Sequence, residues 1–119
     1  MDEVIIELFK KECIKFGKFT LKNGDISPIY VDLKNIISYP YLTNLISNLI
    51  INKIKSFDFD YICGVPYGGI PIASIISNKI NVPMIMVRKE QKKYGLKKLI
   101  EGNYEEGKNC IFIEDTITT

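Results

Sequence analysis

Short apolar runs alternate along this chain with segments of helical periodicity. An apolar run that begins at Tyr61, and runs at Met84 to Val87 and at Cys110 to Ile113, have the apolar content of buried strands. Tyr41 to Ile54 repeats apolar residues at helical spacing, and a second helical pattern follows the first of these runs. Such alternation favours an α/β fold, in which helices cover a mostly parallel sheet through right-handed crossovers. A length of 119 residues suits one domain of this kind.

The first third of the chain has a different pattern. Val4 to Phe16 has helical spacing, and we expect a single amphipathic helix there. Short strands are expected at Phe19 to Leu21 and at Ile29 to Leu33, and a hairpin arm is expected near Leu99.

The last predicted strand leads into an acidic pair. Glu114 and Asp115 follow the run at 110–113, and the chain then continues with Thr116, Ile117, Thr118 and Thr119. Carboxylates at a sheet edge accept hydrogen bonds from sugar hydroxyls or hold a hard cation, and small hydroxyl residues suit a phosphate. The pattern is typical of a ribose-phosphate site. Taken alone, it fits a buried strand followed by solvated acids equally well.

A glycine-rich turn follows the first apolar run. Gly64 to Pro71 lie where an open α/β sheet places its ligands, outside the carboxyl end of a strand. Gly68 and Gly69 allow an anion to approach the backbone closely, and Pro71 suits the first turn of a helix. The alternative is a tight strand-to-helix connection without a ligand.

A basic segment follows the second apolar run. Arg88 is the one arginine among 16 basic residues, and its planar, two-pronged guanidinium suits a phosphate. Residues 88–98 are otherwise rich in lysine, and such runs are often solvated loops. Both interpretations stay open for this segment alone.

Composition excludes several classes of protein. A net charge of +2 is too small to indicate nucleic-acid or membrane binding. The chain has no histidine, so acid–base chemistry falls to lysines and carboxylates. Cys13, Cys63 and Cys110 are widely spaced, which predicts free buried thiols in a reducing compartment, and the sequence has no signal peptide or membrane span. We therefore expect a cytoplasmic protein.

Together these motifs resemble orotate phosphoribosyltransferase, most closely the form that makes up the N-terminal half of eukaryotic-type UMP synthase. The resemblance implies a type I phosphoribosyltransferase fold, with a mostly parallel sheet, flanking helices and a small N-terminal hood. The matching segments are Phe16 to Gly24, Ser27 to Leu33, Gly64 to Pro71, Arg88 to Glu90 with Lys92, Tyr94-Gly95, Leu99 to Gly102, and Ile113 to Asp115.

The resemblance also implies a reaction and its participants. The phosphoribosyl group of phosphoribosyl pyrophosphate (PRPP) would pass to orotate, giving orotidine 5′-monophosphate and pyrophosphate in pyrimidine (UMP) biosynthesis. Mg2+ would be the cofactor, held mainly through PRPP and without direct protein ligands. A homodimer with shared active sites is implied, and an orotidine monophosphate decarboxylase is a possible fused or separate partner.

Site residues follow from the resemblance position by position. Lys92 would be the main catalytic lysine, and it would reach the neighbouring subunit's site together with Arg88 and Tyr94. Asp115 and Glu114 would hold the ribose hydroxyls. The remaining implied contacts are Lys22 with PRPP, Ile29 and Tyr30 with the orotate ring, Tyr67, Gly68 and Lys89 with pyrophosphate, Thr116, Ile117, Thr118 and Thr119 with the 5′-phosphate, and Thr118 also with orotate.

The chain departs from the family pattern in three places. Gly68 and Tyr94 stand where bacterial relatives carry lysine and histidine, which indicates the eukaryotic-type subgroup. Family members also continue past Thr119 through further strands, so residues 1–119 are expected to form a single, truncated domain that is catalytically silent alone and binds PRPP poorly. The alternatives are a non-catalytic homologue or binding partner, and a purine phosphoribosyltransferase.

Overall fold

The computed structural model describes residues 2–91, 93–95 and 98–116. The chain divides into two compact units, residues 1–45 and residues 46–119. In chain order the elements are α1 (Asp2–Lys10), β1 (Ile14–Thr20), β2 (Ile26–Val31), a 3-10 helix (Lys34–Ser38), α2 (Pro40–Ile54), β3 (Tyr61–Gly64), α3 (Gly69–Ile80), β4 (Met84–Val87), β5 (Ile100–Glu101) and β6 (Cys110–Ile113).

The N-terminal helix is shorter than its sequence pattern predicts. α1 ends at Lys10, so the predicted helix from Val4 to Phe16 is wrong from Lys11 onward. Glu12 adopts a left-handed φ of 59°, and the Cys13 N–H donates to the Leu8 carbonyl at 2.8 Å. A left-handed residue combined with such a bond from a residue five positions later closes a helix end.

The residues beyond this helix form a hairpin in the first unit. β1 and β2 pair antiparallel, with Ile14 opposite Val31 and Phe16 opposite Ile29. Both strands begin before the predicted ones, because apolar residues that fit a helical period over a short window also fit strand alternation. The 3-10 helix follows the hairpin, and the sequence pattern did not predict it.

The second unit contains a four-stranded sheet in the order β5-β4-β3-β6. β3 pairs parallel with both β4 and β6, while β5 pairs antiparallel with β4. This mixed, mostly parallel sheet with flanking helices confirms the predicted α/β class. The strand expected to begin at Tyr61 is β3, those expected at 84–87 and 110–113 are β4 and β6, and the hairpin arm expected near Leu99 is β5.

The core of this unit lies along the central strand and α3. Ile62 and Cys63 on β3 are at most 1% exposed, and Ala73 and Ile76 on α3 are fully buried. Helices cover both faces of a parallel sheet, so a central strand is buried on both faces and its sequence is a continuous apolar run. None of the helices in the described ranges is long and apolar enough to cross a membrane.

The thiols of Cys63 and Cys110 lie on adjacent strands of this sheet. Both cysteines are free, Cys63 buried and Cys110 half-buried. Burial, and then the neighbouring Cys63 thiol, raise the pKa of Cys110 from 9.0 to about 11. Burial likewise raises the pKa of Cys63. Because the neutral form is favoured in the folded chain, the unfolding free energy should fall as the pH rises from 9.0 towards about 11.

Cys110 should therefore react slowly with iodoacetamide near neutral pH. The thiolate is the reactive species, and the raised pKa lowers its fraction on the order of 10²-fold. Peptide mass spectrometry would compare the alkylation rate of Cys110 in the folded protein with the rate in guanidinium chloride. Equal rates in the two conditions would contradict this prediction.

Candidate active site

Three loops of the second unit meet at one edge of its sheet. They follow β3, β4 and β6, which are neighbours in the order β4-β3-β6 and run parallel. Carboxyl ends of parallel strands share an edge, which is where open α/β sheets bind ligands. The glycine turn, the start of the basic segment and the acidic pair therefore occupy the same edge, with the turn in the middle.

The turn after β3 is held tightly against the end of β6. The Val65 N–H donates to the Ile113 carbonyl at 3.0 Å, and the Gly69 N–H donates to the Val65 carbonyl at 3.0 Å. A Cβ at Gly69 would lie 2.0 Å from the Ile113 carbonyl oxygen. The absence of a side chain at Gly69 therefore allows α3 to begin in contact with the strand that carries the acidic pair.

The acidic pair continues directly from this contact. Asp115 is half-buried and lies against the turn, since a Cβ at Gly68 would be 2.0 Å from its Oδ2 atom. Glu114 is exposed, and its Oε1 accepts a hydrogen bond from the Asp115 N–H at 3.0 Å. Thr116 is exposed as well. One carboxylate thus packs on the turn while the other faces solvent.

A cavity of about 430 Å³ opens beside the turn. It lies between the turn, the first residues of α3, the end of β4 and the start of the basic segment. The residues that line it are Pro66, Tyr67, Ile70, Met86, Val87, Arg88, Lys89 and Glu90. Three predicted site residues, Tyr67, Arg88 and Lys89, therefore share one cavity.

The two cations of this cavity are held in different ways. The Lys89 Nζ atom lies 5.1 Å from the centroid of the Tyr67 ring, a cation–π arrangement that keeps the ammonium at the cavity. Arg88 Nη1 lies 3.1 Å from Glu101 Oε1, and the Arg88 N–H donates to the Leu99 carbonyl at 2.7 Å. Arg88 is thereby tied to β5 of its own chain.

Glu101 was not among the predicted site residues. Glu101 lies opposite Met86 in the β4–β5 pair, and Arg88 follows Met86 by two residues. This register brings the Glu101 carboxylate to the Arg88 guanidinium. Arg88 Nε is buried and has no hydrogen-bond partner in the described part of the chain. An acid inside a short apolar arm, in a chain with one arginine, makes Glu101 a candidate partner of Arg88, but the strand register that joins them has no sequence signal.

Other predicted residues lie in the first unit. Ile29 and Tyr30 on β2 are 44% and 39% exposed, and the Tyr30 ring centroid lies 5.4 Å from that of Phe19. Ser27 Oγ donates to the Ile29 carbonyl at 2.7 Å. Lys22 is exposed in the turn between β1 and β2. The hairpin thus offers an apolar and aromatic surface and, at its turn, a cation.

Four predicted residues, Lys92, Ile117, Thr118 and Thr119, lie outside the described residues. Tyr94 is described and is 82% exposed. Within residues 2–91, 93–95 and 98–116, no group of three or more carboxylate or thiol side chains is arranged to hold a metal ion. The acidic pair offers two carboxylates, which are hard oxygen donors suited to a cation that a ligand also coordinates.

Comparisons with known proteins point to one family, although no protein-family model matches the chain. The chain is 43% identical over 114 residues to orotate phosphoribosyltransferase of Caenorhabditis elegans, covering 94% of this chain and 50% of that protein. It is 38% identical over 121 residues to uridine 5′-monophosphate synthase of Bos taurus, covering 100% of this chain and 25% of that protein.

A solved structure agrees with these sequence relatives. UMP synthase of Leishmania donovani superposes with a TM-score of 0.81 at 40% identity, over 92% of this chain and 24% of that chain. The chain therefore spans half of the length of the nematode relative and about a quarter of the other two.

Proposed function

We propose that this chain, which belongs to the orotate phosphoribosyltransferase family, transfers the phosphoribosyl group of PRPP to N1 of orotate in pyrimidine biosynthesis. Pyrophosphate and orotidine 5′-monophosphate would be the products. The observation that carries the proposal is the contact of Asp115 with the Gly68 turn, beside a cavity with two cations. Residues 1–119 would belong to a single phosphoribosyltransferase domain.

The chemistry needs charges of both signs at one place. As the bond to pyrophosphate breaks, positive charge develops on the ribose ring and negative charge on the leaving group. Asp115 and Glu114 would accept hydrogen bonds from the ribose hydroxyls, and Lys89 would neutralise pyrophosphate from its position over the Tyr67 ring. Preorganised charges of this kind lower the barrier without a proton transfer to the protein.

Mg2+ is part of the proposal as the cofactor. It would supply positive charge where the leaving group gains negative charge. Such a cation would enter with PRPP and would be held mainly by PRPP, without direct protein ligands. Asp115 and Glu114 would accept hydrogen bonds from the ribose hydroxyls next to this cation.

Orotate would bind on the hairpin of the first unit. The exposed surfaces of Ile29 and Tyr30 suit a planar ring, and Lys22 supplies a cation for PRPP. The choice of base would then depend on these hairpin residues.

A homodimer with shared sites is also proposed. Tyr94 is 82% exposed, which leaves it available to a second chain, and Lys92 would act beside it. Arg88 is bound to Glu101, so it would act on a partner's ligand only after leaving that carboxylate. The three free cysteines support a reducing, cytoplasmic setting, and a decarboxylase that consumes orotidine monophosphate is the proposed fused or separate partner.

Base selectivity tests the proposal. The protein carrying this chain, given PRPP and Mg2+, should consume orotate and ignore adenine, hypoxanthine and uracil, because the hairpin residues match the orotate-binding segments of the family. Pyrophosphate release would be measured with each base, and a reaction without any base would give the background hydrolysis of PRPP. Turnover of a purine at a rate comparable with that of orotate would contradict the assignment.

A further inference from the structure

A short arm of the second unit places a carboxylate next to the one arginine of the chain. The arm is β5, which pairs antiparallel with β4 so that Glu101 lies opposite Met86. The Arg88 N–H donates to the Leu99 carbonyl at 2.7 Å, which extends this pairing by one residue. After the arm, Gly102 has φ +111°, and a Cβ there would lie 3.2 Å from a carbonyl oxygen of β4. Backbone contacts on both sides therefore fix the place of Glu101.

The guanidinium of Arg88 is only partly satisfied by this carboxylate. Its Nη1 atom lies 3.1 Å from Glu101 Oε1, while its Nε atom is buried and has no hydrogen-bond partner among the described residues. The side chains of Arg88 and Glu101 are 38% and 31% exposed. A buried donor without a partner costs free energy, and an ion pair that solvent reaches is weak. A stronger anion can therefore displace Glu101 from the guanidinium.

Arg88 lies between this carboxylate and the candidate site. Of the described residues that line the cavity beside the glycine turn, Arg88 is one and Glu101 is not. An anion at the site and the Glu101 carboxylate therefore share a single guanidinium. A pyrophosphate group, whichever subunit binds it, carries more negative charge than one carboxylate, and its oxygens can accept two parallel N–H bonds from a guanidinium.

We propose that Glu101 is a positioning residue that holds Arg88 in the ligand-free chain and releases it to pyrophosphate. This inference rests on the proposed function, in which PRPP brings a pyrophosphate group to the basic segment. Glu101 neutralises the guanidinium while no ligand is bound, and bound pyrophosphate takes its place. Because Glu101 competes for Arg88, it weakens the binding of pyrophosphate and favours the departure of this product.

Calorimetry with inorganic pyrophosphate tests the competition in the protein that carries this chain. Glu101→Gln keeps the size of the side chain and removes its charge, so this variant should bind pyrophosphate roughly two- to five-fold more tightly. In an Arg88→Ala background the same change should leave the affinity unaltered, because the group for which the two anions compete is gone. Equal or weaker binding by Glu101→Gln, as a purely structural role predicts, would overturn the proposal, and so would a gain that persists without Arg88.

Glu105→Gln is the matched control for this measurement. Glu105 is exposed in the segment between β5 and β6, and its substitution removes the same charge without touching the pair. Its affinity for pyrophosphate should equal that of the unaltered protein. A gain equal to that of Glu101→Gln would show that net charge is the cause, and would overturn the proposal.

Nuclear magnetic resonance tests the pair itself without ligand. Arg88 is the one arginine of residues 1–119, so nitrogen-15-labelled arginine gives one Nε–H signal from this chain, which is assigned by its loss in Arg88→Lys. Glu101→Gln should shift this signal and Glu105→Gln should not, and an unchanged signal in Glu101→Gln would overturn the pairing. Binding of pyrophosphate without a gain in Glu101→Gln would overturn the competition and leave the proposed function standing, whereas no binding by the unaltered protein would overturn both.

Discussion

Replacing Lys92 by alanine should lower kcat on the order of 10³-fold, with the Kd of PRPP changed only a few-fold. The lysine is proposed to meet charge that appears on pyrophosphate as the bond breaks, and an interaction present only in the transition state is lost from kcat and not from ground-state binding. Steady-state kinetics with orotate and calorimetry with PRPP would separate the two quantities.

Lys93→Ala is the matched control for this variant. It removes the same charge from the adjacent residue of the same basic segment, which is exposed. Its kcat should stay within a few-fold of the unaltered protein. An equal loss in both variants would mean that the segment acts through its overall charge, and would contradict a specific role for Lys92.

The shared-site arrangement predicts that two inactive chains complement each other. Chains with Lys92→Ala keep an intact acidic pair, and chains with Asp115→Ala keep an intact lysine. If Lys92 serves the neighbouring subunit, a mixed dimer contains one site with neither substitution, and mixing should restore part of the activity. An absence of recovery after subunit exchange would argue that Lys92 acts within its own chain.

The sequence predicts the position of the site because the sheet is mostly parallel. Strands that alternate with helices place their carboxyl ends at one edge, so the residues after β3, β4 and β6 meet there whatever the details of packing. This is why the glycine turn, Arg88 and Asp115 are predicted from their place after apolar runs, whereas the role of Tyr67 comes from the family resemblance. The position of a side chain at this edge does not establish its role, which the Lys92 and Asp115 variants test.

The end of the first helix was not predictable from the same patterns. Ile14 and Phe16 fit both a helical and an alternating pattern, and Glu12 in a left-handed conformation gives no sequence signal, since glycine or asparagine is usual there. Contacts that depend on strand register also escape sequence patterns. The Arg88–Glu101 pair requires Met86 to lie opposite Glu101, and the register of a two-residue strand cannot be predicted from its sequence.

Substituting Gly69 by alanine should destabilise the fold strongly, and more than the same substitution at Gly107. Its Cβ would lie 2.0 Å from the carbonyl oxygen and 2.9 Å from the carbonyl carbon of Ile113. These are backbone atoms, and the oxygen already accepts the Val65 N–H, so neither can move without breaking the junction of β6 with the turn. We expect the unfolding free energy in urea to fall by about 3 kcal/mol.

Gly107→Ala provides the comparison that separates crowding from backbone strain. Gly107 has φ +84° and nothing within 4 Å of the position of a Cβ, so alanine there should cost about 1 kcal/mol from conformation alone. A loss at Gly69 no larger than that at Gly107 would contradict the tight junction. Asp115→Ala should not rescue Gly69→Ala, because the obstacle is the backbone of β6.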